Sequence, residues 1–475
     1  MLTAKLLTLA TVVGFGCAVA VQAGSARSGS TAETWRVSVS SGGAQGNRDS
    51  YAAGISADGR YVLLSSQATN LVSGDTNNRW DVFVHDRTTG RTQRVSVTSR
   101  GRQAAPAADP WGGSIAGGIS ANGRYVVFES DASNLVPGDT NRASDIFLRD
   151  RATGTTRRVS VSSQGRQANG SSGFPSISAD GRYVAYQSLA SNLVPHDTNR
   201  IADVFVRDLA TGKTSRVSVT SRGAQAACRA AFCESTQPAL SVRGRYVAFQ
   251  SSATNLVPGD TNRLGDVFVR DRRTGRTERI SVTGAGRQAG ADRTGTGSNA
   301  PAISADGRFI AFHSADSNLV PGDTNRTFDI FVRDRKTGRT TRVSVGSGGR
   351  QANGESLGAL SISADGRYVA FTSLASNLVP GDVNGITDVF VRDLETGRTR
   401  LASLGNTGDQ GDDASAVGGG SVAFSANDRY LAFSSWAANF VPEDTNVKPD
   451  AFVRDLGAAS TGSGVMLSPA VGRVR

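Results

Sequence analysis

The sequence predicts an all-β protein, a seven-bladed β-propeller of four-stranded antiparallel blades, closed by the N-terminal strand completing the last blade. Three observations support this prediction. A segment close to ISADGRYVAFQS recurs seven times at intervals of about sixty residues. Apolar residues nowhere keep the helical period of about 3.6 residues, so helices are expected to be nearly absent. A lone strand sequence precedes the first repeat, and the last repeat lacks the equivalent strand.

Each repeat contains four short strand sequences. The first strand ends in Ile-Ser, and ADGR then supplies a tight turn whose Gly can take a positive φ. The second strand carries the β-branched and aromatic residues of YVAFQS, and DVFVRD follows after a longer loop. A TGRT turn leads into the fourth strand, RVSV. The copies of the first turn begin at Ile55, Ile119, Ile177, Leu240, Ile303, Ile362 and Phe424.

Ring closure is predicted from the two ends of the repeat array. The sequence WRVSV, from Trp35 to Val39, stands alone before the first repeat, while the seventh repeat stops after DAFVRD. We therefore expect this strand to complete the last blade and to bury Val37 and Val39. Propellers protect their sheet edges by this kind of radial repetition.

In these residues the chain resembles the TolB-like, WD40-like propellers with PD40 repeats, whose signature is close to S-x-D-G-R-x-[IV]-A-F-x-S. The resemblance covers Trp35 to Asp455 and implies the fold. It implies little about function, because propellers include enzymes, scaffolds and binding modules. TolB itself carries an additional N-terminal domain, which we do not expect in this chain, so we do not expect a role in the Tol envelope system to transfer.

The N-terminal segment has the pattern of a secretory signal peptide, with Lys5 before an apolar run that ends in small residues. We expect a signal peptide at 1–23, a short linker at 24–34, the propeller at 35–456 and a flexible tail at 457–475. No later segment is long and apolar enough to span a bilayer. We expect a monomer exported to the periplasm, cell envelope or medium of a bacterium. In that environment Cys228 and Cys233 are predicted to form a small loop disulfide.

The net charge of +11 comes almost entirely from arginine, since the only lysines are Lys5, Lys213, Lys336 and Lys448. This bias does not identify a site. Basic runs with interleaved aromatic residues and known nucleic-acid-binding motifs are missing from the sequence. We therefore do not expect a nucleic-acid partner.

The predicted strand order sorts the connections into two faces. The ADGR and TGRT turns share one face, and the long loops share the other, where a protein or extracellular glycan is expected to bind. Every long loop contains an Asp, an Asn two residues later and a second Asp four residues after that. The seven triplets are Asp75, Asn77 and Asp81; Asp139, Asn141 and Asp145; Asp197, Asn199 and Asp203; Asp260, Asn262 and Asp266; Asp323, Asn325 and Asp329; Asp382, Asn384 and Asp388; and Asp444, Asn446 and Asp450.

The triplets have two interpretations. Two carboxylates, an amide and backbone carbonyls could supply most of the oxygens that calcium prefers. Alternatively, Asp and Asn bond their own backbone in Asx turns, which is the interpretation we favour. Asp86 and Asp271 are expected to start hairpin turns. The interblade loops carry seven glutamines, for which we favour hydrogen bonds between blades: Gln45, Gln103, Gln167, Gln225, Gln288, Gln351 and Gln410.

A catalytic site normally lies at one place in the ring, so it needs residues that are not repeated in every blade. The histidines do not form such a site. His85, His196 and His313 come from non-equivalent positions of three repeats, so a metal or acid–base cluster is not expected. A G-x-S-x-G motif is missing. We therefore predict a non-catalytic binding module. The alternative is a lyase or hydrolase acting on extracellular polysaccharide, since some TolB-like propellers are polysaccharide lyases with metal-binding histidines. This enzyme would be favoured by a cluster of channel-facing residues that differ from their equivalents in other blades and are confined to two or three blades.

Overall fold

The computed structural model describes residues 32–105, 112–227, 233–290, 297–416 and 421–457. These residues form seven antiparallel sheets of four strands, and no helix occurs in them. The predicted signal peptide and Cys228 lie outside the described residues, as does the predicted tail beyond Gly457. The fold class predicted from the sequence is therefore confirmed.

The strands follow the repeats. Strand β1 is Thr34–Arg36. Blade 1 consists of β2 Ser50–Ile55, β3 Tyr61–Ser66, β4 Asp81–Asp86 and β5 Arg91–Arg94. Blade 2 consists of β6 Ser114–Ile119, β7 Tyr125–Ser130, β8 Asp145–Asp150 and β9 Thr155–Arg158. Blade 3 consists of β10 Ser172–Ile177, β11 Tyr183–Ser188, β12 Asp203–Asp208 and β13 Lys213–Arg216. Blades 4 and 5 consist of β14 Ser235–Leu240, β15 Tyr246–Ser251, β16 Asp266–Asp271 and β17 Arg276–Arg279; and β18 Ser298–Ile303, β19 Phe309–Ser314, β20 Asp329–Asp334 and β21 Arg339–Arg342. Blade 6 consists of β22 Leu360–Ile362, β23 Tyr368–Ser373, β24 Asp388–Asp393 and β25 Thr399–Leu401, and blade 7 contains β26 Ala423–Phe424, β27 Tyr430–Ser435 and β28 Asp450–Asp455.

The blades are arranged around a central channel. In blades 1 to 6 the four strands lie side by side in sequence order. The first strands of neighbouring blades contact one another, from β2 through β26 and back to β2. The first strand of each blade therefore lines the channel, and the fourth strand forms the outer edge.

Strand β1 closes the ring, as predicted. It pairs antiparallel with β28, and the Val37 amide donates to the Ala451 carbonyl at 2.8 Å. Val37 is 1 % exposed. Val39 is only half-buried, because the chain leaves the sheet there and forms a hairpin bridged from Val39 to Gln45. The predicted burial of Val39 is therefore wrong.

Apolar packing joins each blade to its neighbours. Seven clusters of buried side chains lie between adjacent blades. In one of them Ile146 and Leu148 of blade 2 pack with Val184 and Phe205 of blade 3. Burying a side chain of this size stabilises the fold by about 1.5–3 kcal/mol. Each blade thus depends on its neighbours for much of its core.

The turns between first and second strands require a left-handed residue. Gly123 has a φ of 70°, and a Cβ there would lie 2.2 Å from Cδ2 of Tyr61 in the preceding blade. Only Gly fits this position without displacing the aromatic ring of Tyr61. Blade 7 differs, because Asp428 takes the position with a φ of 57°.

An arginine–aspartate clamp joins the two short turns of every blade. Nε and Nη2 of Arg124 donate to Oδ1 and Oδ2 of Asp150 at 2.9 and 2.7 Å, and these hydrogen bonds lower the pKa of Asp150 to about 2. Asp150 also accepts from the amide of Ala152 in the hairpin turn. Asp86 and Asp271 have the same turn-forming role that the sequence predicts. The seven clamps are Arg60–Asp86, Arg124–Asp150, Arg182–Asp208, Arg245–Asp271, Arg308–Asp334, Arg367–Asp393 and Arg429–Asp455. We call this side of the ring the short-turn face and the opposite side the long-loop face.

The loops between blades shield the outer edges. After the fourth strand each loop folds into a small hairpin, such as the one bridged from Val39 to Gln45. Ser41 at the tip of this hairpin accepts from the Thr92 amide in the outer strand of blade 1 at 3.0 Å. An outer strand covered in this way offers fewer free groups for pairing with another chain.

Candidate functional site

The Asp–Asn–Asp triplets lie on the long-loop face, at the start of each third strand. In blade 3 the Asn199 side chain donates to Asp203 Oδ2 at 2.8 Å, and Ser218 Oγ donates to Asp203 Oδ1. Nη1 of Arg216 lies 2.8 Å from Asp197 Oδ1 and 3.0 Å from Asp203 Oδ2. The guanidinium therefore bridges the two carboxylates.

The same bridge occurs in six blades. Nη1 of the arginine lies 2.8–3.6 Å from the first Asp and 3.0–3.9 Å from the second. The arginine is the first residue of RVSV, and sequence reasoning missed its role. Its regular occurrence before the fourth-strand Val-Ser-Val was the available signal. The bridging residues are Arg36, Arg94, Arg158, Arg216, Arg279 and Arg342.

Because these carboxylates are buried, a nearby positive charge is needed to stabilise their ionised form. Desolvation raises the pKa of Asp81 to about 6, although Ser96 and Arg94 oppose the shift. Burial and the adjacent carboxylate of Asp266 raise the pKa of Asp260 to about 6. Two neighbouring buried carboxylates are stabilised by a cation held between them. In six blades the arginine is positioned to supply that charge.

The asparagine of the triplet forms the turn that the sequence predicts. Asn77 Oδ1 accepts from the Arg79 amide two residues later at 3.0 Å, and Asn446 Oδ1 accepts from the Lys448 amide at 2.9 Å. The Asn side chain also donates to the second Asp. These contacts support the Asx-turn interpretation. Calcium binding by the triplets stays a prediction.

Blade 6 lacks the bridging arginine. Leu401 ends β25 opposite Phe390, which is the register that Arg342 has opposite Phe331 in blade 5. Asp382 and Asp388 form no ion pair with any residue that the structure describes. Blade 6 is thus the one blade whose complete triplet is not bridged by an arginine in the described part of the chain.

The loop glutamines and the loop asparagines have different roles, which the sequence did not reveal. Gln45 donates to Asp444 Oδ1 at 2.6 Å and to Asp450 Oδ2 at 2.8 Å, both in the blade that β1 completes. The contact between blades is made by Asn70, which donates to the Gln45 carbonyl at 2.7 Å. An equivalent Asn-to-Gln bond joins all seven pairs of blades.

A cavity of about 440 Å³ occupies the central channel and is lined by residues of blades 2 to 7. Ile115 and Phe174 line it, and Phe174 is 54 % exposed. Glu129 forms part of the wall, and burial raises the pKa of its carboxyl. The channel therefore combines exposed apolar side chains with an acidic group.

The channel is asymmetric. Phe174, Gln237 and Ala300 each precede a proline in blades 3, 4 and 5 and have φ values of 51°, 50° and 47°. The amide of Phe174 donates to Glu129 Oε2 at 2.9 Å, and the amide of Ala300 donates to Gln237 Oε1 at 3.0 Å. Left-handed non-glycine residues before proline are uncommon and often occur at functional sites. The repeated X-Pro pairs were the missed sequence signal.

The histidines do not converge. His85 is buried beside Thr92, with its Nδ1 2.9 Å from the hydroxyl, and His196 lies in a loop of blade 3 with a φ of 58°. His313 in blade 5 is 1 % exposed, and burial lowers its pKa to about 4. Across the described ranges no three His, Cys, Asp or Glu side chains are grouped so that they could hold a metal.

The cysteine prediction falls partly outside the described residues. Cys233 is disulfide-bonded, whereas Cys228 belongs to the gap at 228–232. Their pairing therefore stays a prediction. The described part of the chain contains no helix that is long and apolar enough to cross a membrane.

Comparison with solved structures finds propellers. TolB from Acinetobacter baumannii is 14 % identical with a TM-score of 0.37, over 84 % of this chain and 81 % of that chain. Oligogalacturonate lyase from Vibrio parahaemolyticus is 12 % identical with a TM-score of 0.47, over 87 % of this chain and 90 % of that chain. The β-propeller domain of the Trilobed protease from Pyrococcus furiosus is 11 % identical with a TM-score of 0.49, over 86 % and 94 % of the two chains. No protein-family model matches the sequence, and no curated protein matches it. The chain is a seven-bladed β-propeller whose likeness to TolB and to other propellers lies in the fold.

Proposed function

We propose that the protein is an exported, non-catalytic binding module whose partner docks on the long-loop face around the channel mouth. One observation carries this proposal. Of the eight large apolar side chains that are exposed in the described residues, five lie in loops of the long-loop face and two lie on the channel-lining first strands β6 and β10. These seven are Ile115, Phe174, Leu189, Leu357, Leu374, Val383 and Val447. Exposed apolar side chains gathered on one face favour an interaction site, whereas scattered ones do not.

The chemistry of this face favours a protein partner. Six of these seven exposed apolar residues are aliphatic, and sugar rings stack mainly on aromatic side chains. Leu189 also borders a second cavity of about 470 Å³, which Ile201 and Glu234 line as well. An apolar patch with a polar rim is the arrangement expected of a protein interface. A glycan is the alternative ligand.

A pull-down from the cell envelope and culture medium, combined with a glycan array, tests the proposal. We expect the double variant Phe174→Ser, Leu189→Ser to lose at least tenfold in affinity for the captured protein. The matched control is Arg91→Glu with Arg276→Glu on the short-turn face, which should bind normally. The opposite ranking would contradict the assignment of the binding face.

A second candidate function is supported by Glu129. A carboxyl of raised pKa in a channel wall can act as a general acid, as a polysaccharide lyase or hydrolase requires. Glu129→Gln should abolish turnover if this enzyme function is correct. If the protein is a binding module, the same variant leaves partner binding within about twofold and no activity on polysaccharides is measured.

A further inference from the structure

Blade 6 retains both carboxylates of the loop site, but within the described residues no arginine bridges them. In blade 5 Nη1 of Arg342 lies 3.2 Å from Asp323 and 3.8 Å from Asp329. The residue in register with Arg342 is Leu401, which has no charge. Six blades therefore show that these paired carboxylates accommodate a positive group, and blade 6 shows the same pair without it.

Asp382 is the unusual carboxylate of this pair. It is only 8 % exposed, and within the described part of the chain it accepts no hydrogen bond and forms no ion pair. Asp388 has partners, because Ser403 donates to Oδ1 and Asn384 donates to Oδ2 at 2.8 Å. A buried carboxylate beside a second carboxylate is costly unless a cation lies between them.

The remaining ligands at this position are also oxygens. The Gly322 carbonyl of blade 5 accepts from Nη2 of Arg342 at 3.4 Å. In blade 6 the equivalent Gly381 carbonyl instead accepts from the Gln410 side chain at 2.8 Å, and the Gln410 Oε1 accepts from the Val383 amide at 3.3 Å. Carboxylate, carbonyl and amide oxygens with added water form the type of shell that Ca²⁺ prefers.

We propose that Asp382 and Asp388 bind one Ca²⁺ ion per chain at the position that the arginine guanidinium occupies in the other six blades. The two carboxylates supply the charge, and the Gly381 carbonyl, the Gln410 amide oxygen and water complete the shell. A divalent ion neutralises both carboxylates, which a single guanidinium does not. This site does not depend on the identity of the partner, so partner binding and calcium binding can fail separately.

Elemental analysis after equilibration with Ca²⁺ and gel filtration tests the stoichiometry. We expect one Ca²⁺ per wild-type chain and none in Leu401→Arg, which installs the seventh guanidinium. The wild-type melting temperature should rise with added Ca²⁺ and fall with EDTA, because the ion binds only the native state. The melting temperature of Leu401→Arg should not respond to either. A wild-type chain with no ion or with seven ions overturns the proposal, as does a folded Leu401→Arg chain that retains its ion.

Arg342→Leu provides the matched control in blade 5. This variant removes one guanidinium and leaves the carboxylate pair of blade 5 without an arginine, as in blade 6, so its stoichiometry should rise to two. Near-ultraviolet circular dichroism establishes that the variant is folded. A folded Arg342→Leu chain that still binds one ion would overturn the premise that arginine and Ca²⁺ occupy the same position. Competition with Na⁺ and Mg²⁺ then tests the metal, and an ion displaced equally well by Mg²⁺ would overturn the assignment to Ca²⁺.

Discussion

At the scale of single residues, opposite charges are arranged in two different environments. The clamps of the short-turn face are partly exposed, and Arg124 has 41 % of its side chain accessible. The bridges of the long-loop face are buried, with Asp203 fully covered. An exposed pair contributes little through Coulomb attraction alone, whereas loss of one partner from a buried pair is strongly destabilising. Mutations in the two sets should therefore differ in cost.

This contrast gives the first prediction. Arg216→Gln should lower the free energy of unfolding by about 3–5 kcal/mol, because it leaves two buried carboxylates without their cation. Arg124→Gln should lower it by about 0–1 kcal/mol. Urea denaturation of both variants measures the difference. Equal losses would contradict the assignment of the long-loop bridge as the buried one.

Acid sensitivity is the second prediction. The pKa of Asp150 is lowered to about 2, whereas an unfolded Asp titrates near about 3.9. Its contribution to stability is therefore complete above about pH 4 and is lost as the pH falls toward about 2. Wild-type stability should fall more steeply over this interval than that of Arg124→Gln, followed by circular dichroism. Arg276→Gln, at an exposed turn, serves as the control and should follow the wild type.

A glycine gives the third prediction. Gly123→Ala should lower the free energy of unfolding by about 1–3 kcal/mol, since it combines a left-handed φ with a clash against Tyr61. The natural counterpart is Asp428, so Asp428→Gly should be neutral or stabilising by up to about 1 kcal/mol. Thermal denaturation compares the two variants. A neutral Gly123→Ala would show that Tyr61 moves aside at little cost.

At the scale of the element, β1 contributes more to blade 7 than a fourth strand. Arg36 at its end contacts Asp444 in the long loop of blade 7, and Ser38, just after Val37, donates to Asp450 at the start of β28. The first and last parts of the described chain thus complete one loop site together. Burial of Val37 alone is worth about 1.5–3 kcal/mol. The loss of the strand also uncovers β28 and leaves Asp450 without its cation.

The fourth prediction concerns this strand. Deletion of residues 35–39 should lower the melting temperature by more than about 10 °C and promote aggregation through the exposed edge of β28. Differential scanning calorimetry and light scattering measure these effects. Deletion of residues 462–475 is the control and should have little effect, because this Gly- and Ser-containing sequence does not predict a strand. Equal stability of the two deletions would contradict closure by β1.

Sequence reasoning succeeded at this scale because strands and tight turns are specified locally. ADGR and TGRT fix short turns, and the vacancy after DAFVRD specifies where WRVSV pairs. It failed where the partner is distant in the chain. Arg36 and Asp444 meet only after ring closure, and Asn70 reaches the Gln45 carbonyl across a blade boundary. The half-burial of Val39 depends on the following hairpin, which alternation within a strand cannot reveal.

At the scale of the whole molecule, the ring has seven junctions with the same chemistry. Each Asn of the NLV sequence donates to the Gln carbonyl of the preceding loop, and its own oxygen accepts from a backbone amide there. The junction between blades 7 and 1 is therefore built like the others. Covalent continuity differs, because the chain reaches blade 1 from β1, which is held to β28 by hydrogen bonds and is not continuous with it.

The fifth prediction compares two junctions. Asn70→Ala between blades 7 and 1 and Asn255→Ala between blades 3 and 4 should each cost about 1–3 kcal/mol, since each loses two hydrogen bonds. Hydrogen exchange should nevertheless show local opening of blade 7 in Asn70→Ala and none at Asn255→Ala beyond global unfolding. Identical exchange in both variants would mean that β1 holds blade 7 as firmly as a continuous chain.

The pairing of β1 with β28 has a consequence for how the chain must fold. Thr34 and Arg454 form a hydrogen bond across 420 residues, so the segment synthesised first finds its partner last. Until Asp455 emerges, β1 has no strand to pair with and its edge is exposed, and such edges are prone to pair with other chains. A contact of this sequence separation also forms slowly. A chaperone that binds the free β1 segment during synthesis would therefore increase the yield of closed rings without altering the stability of the finished protein.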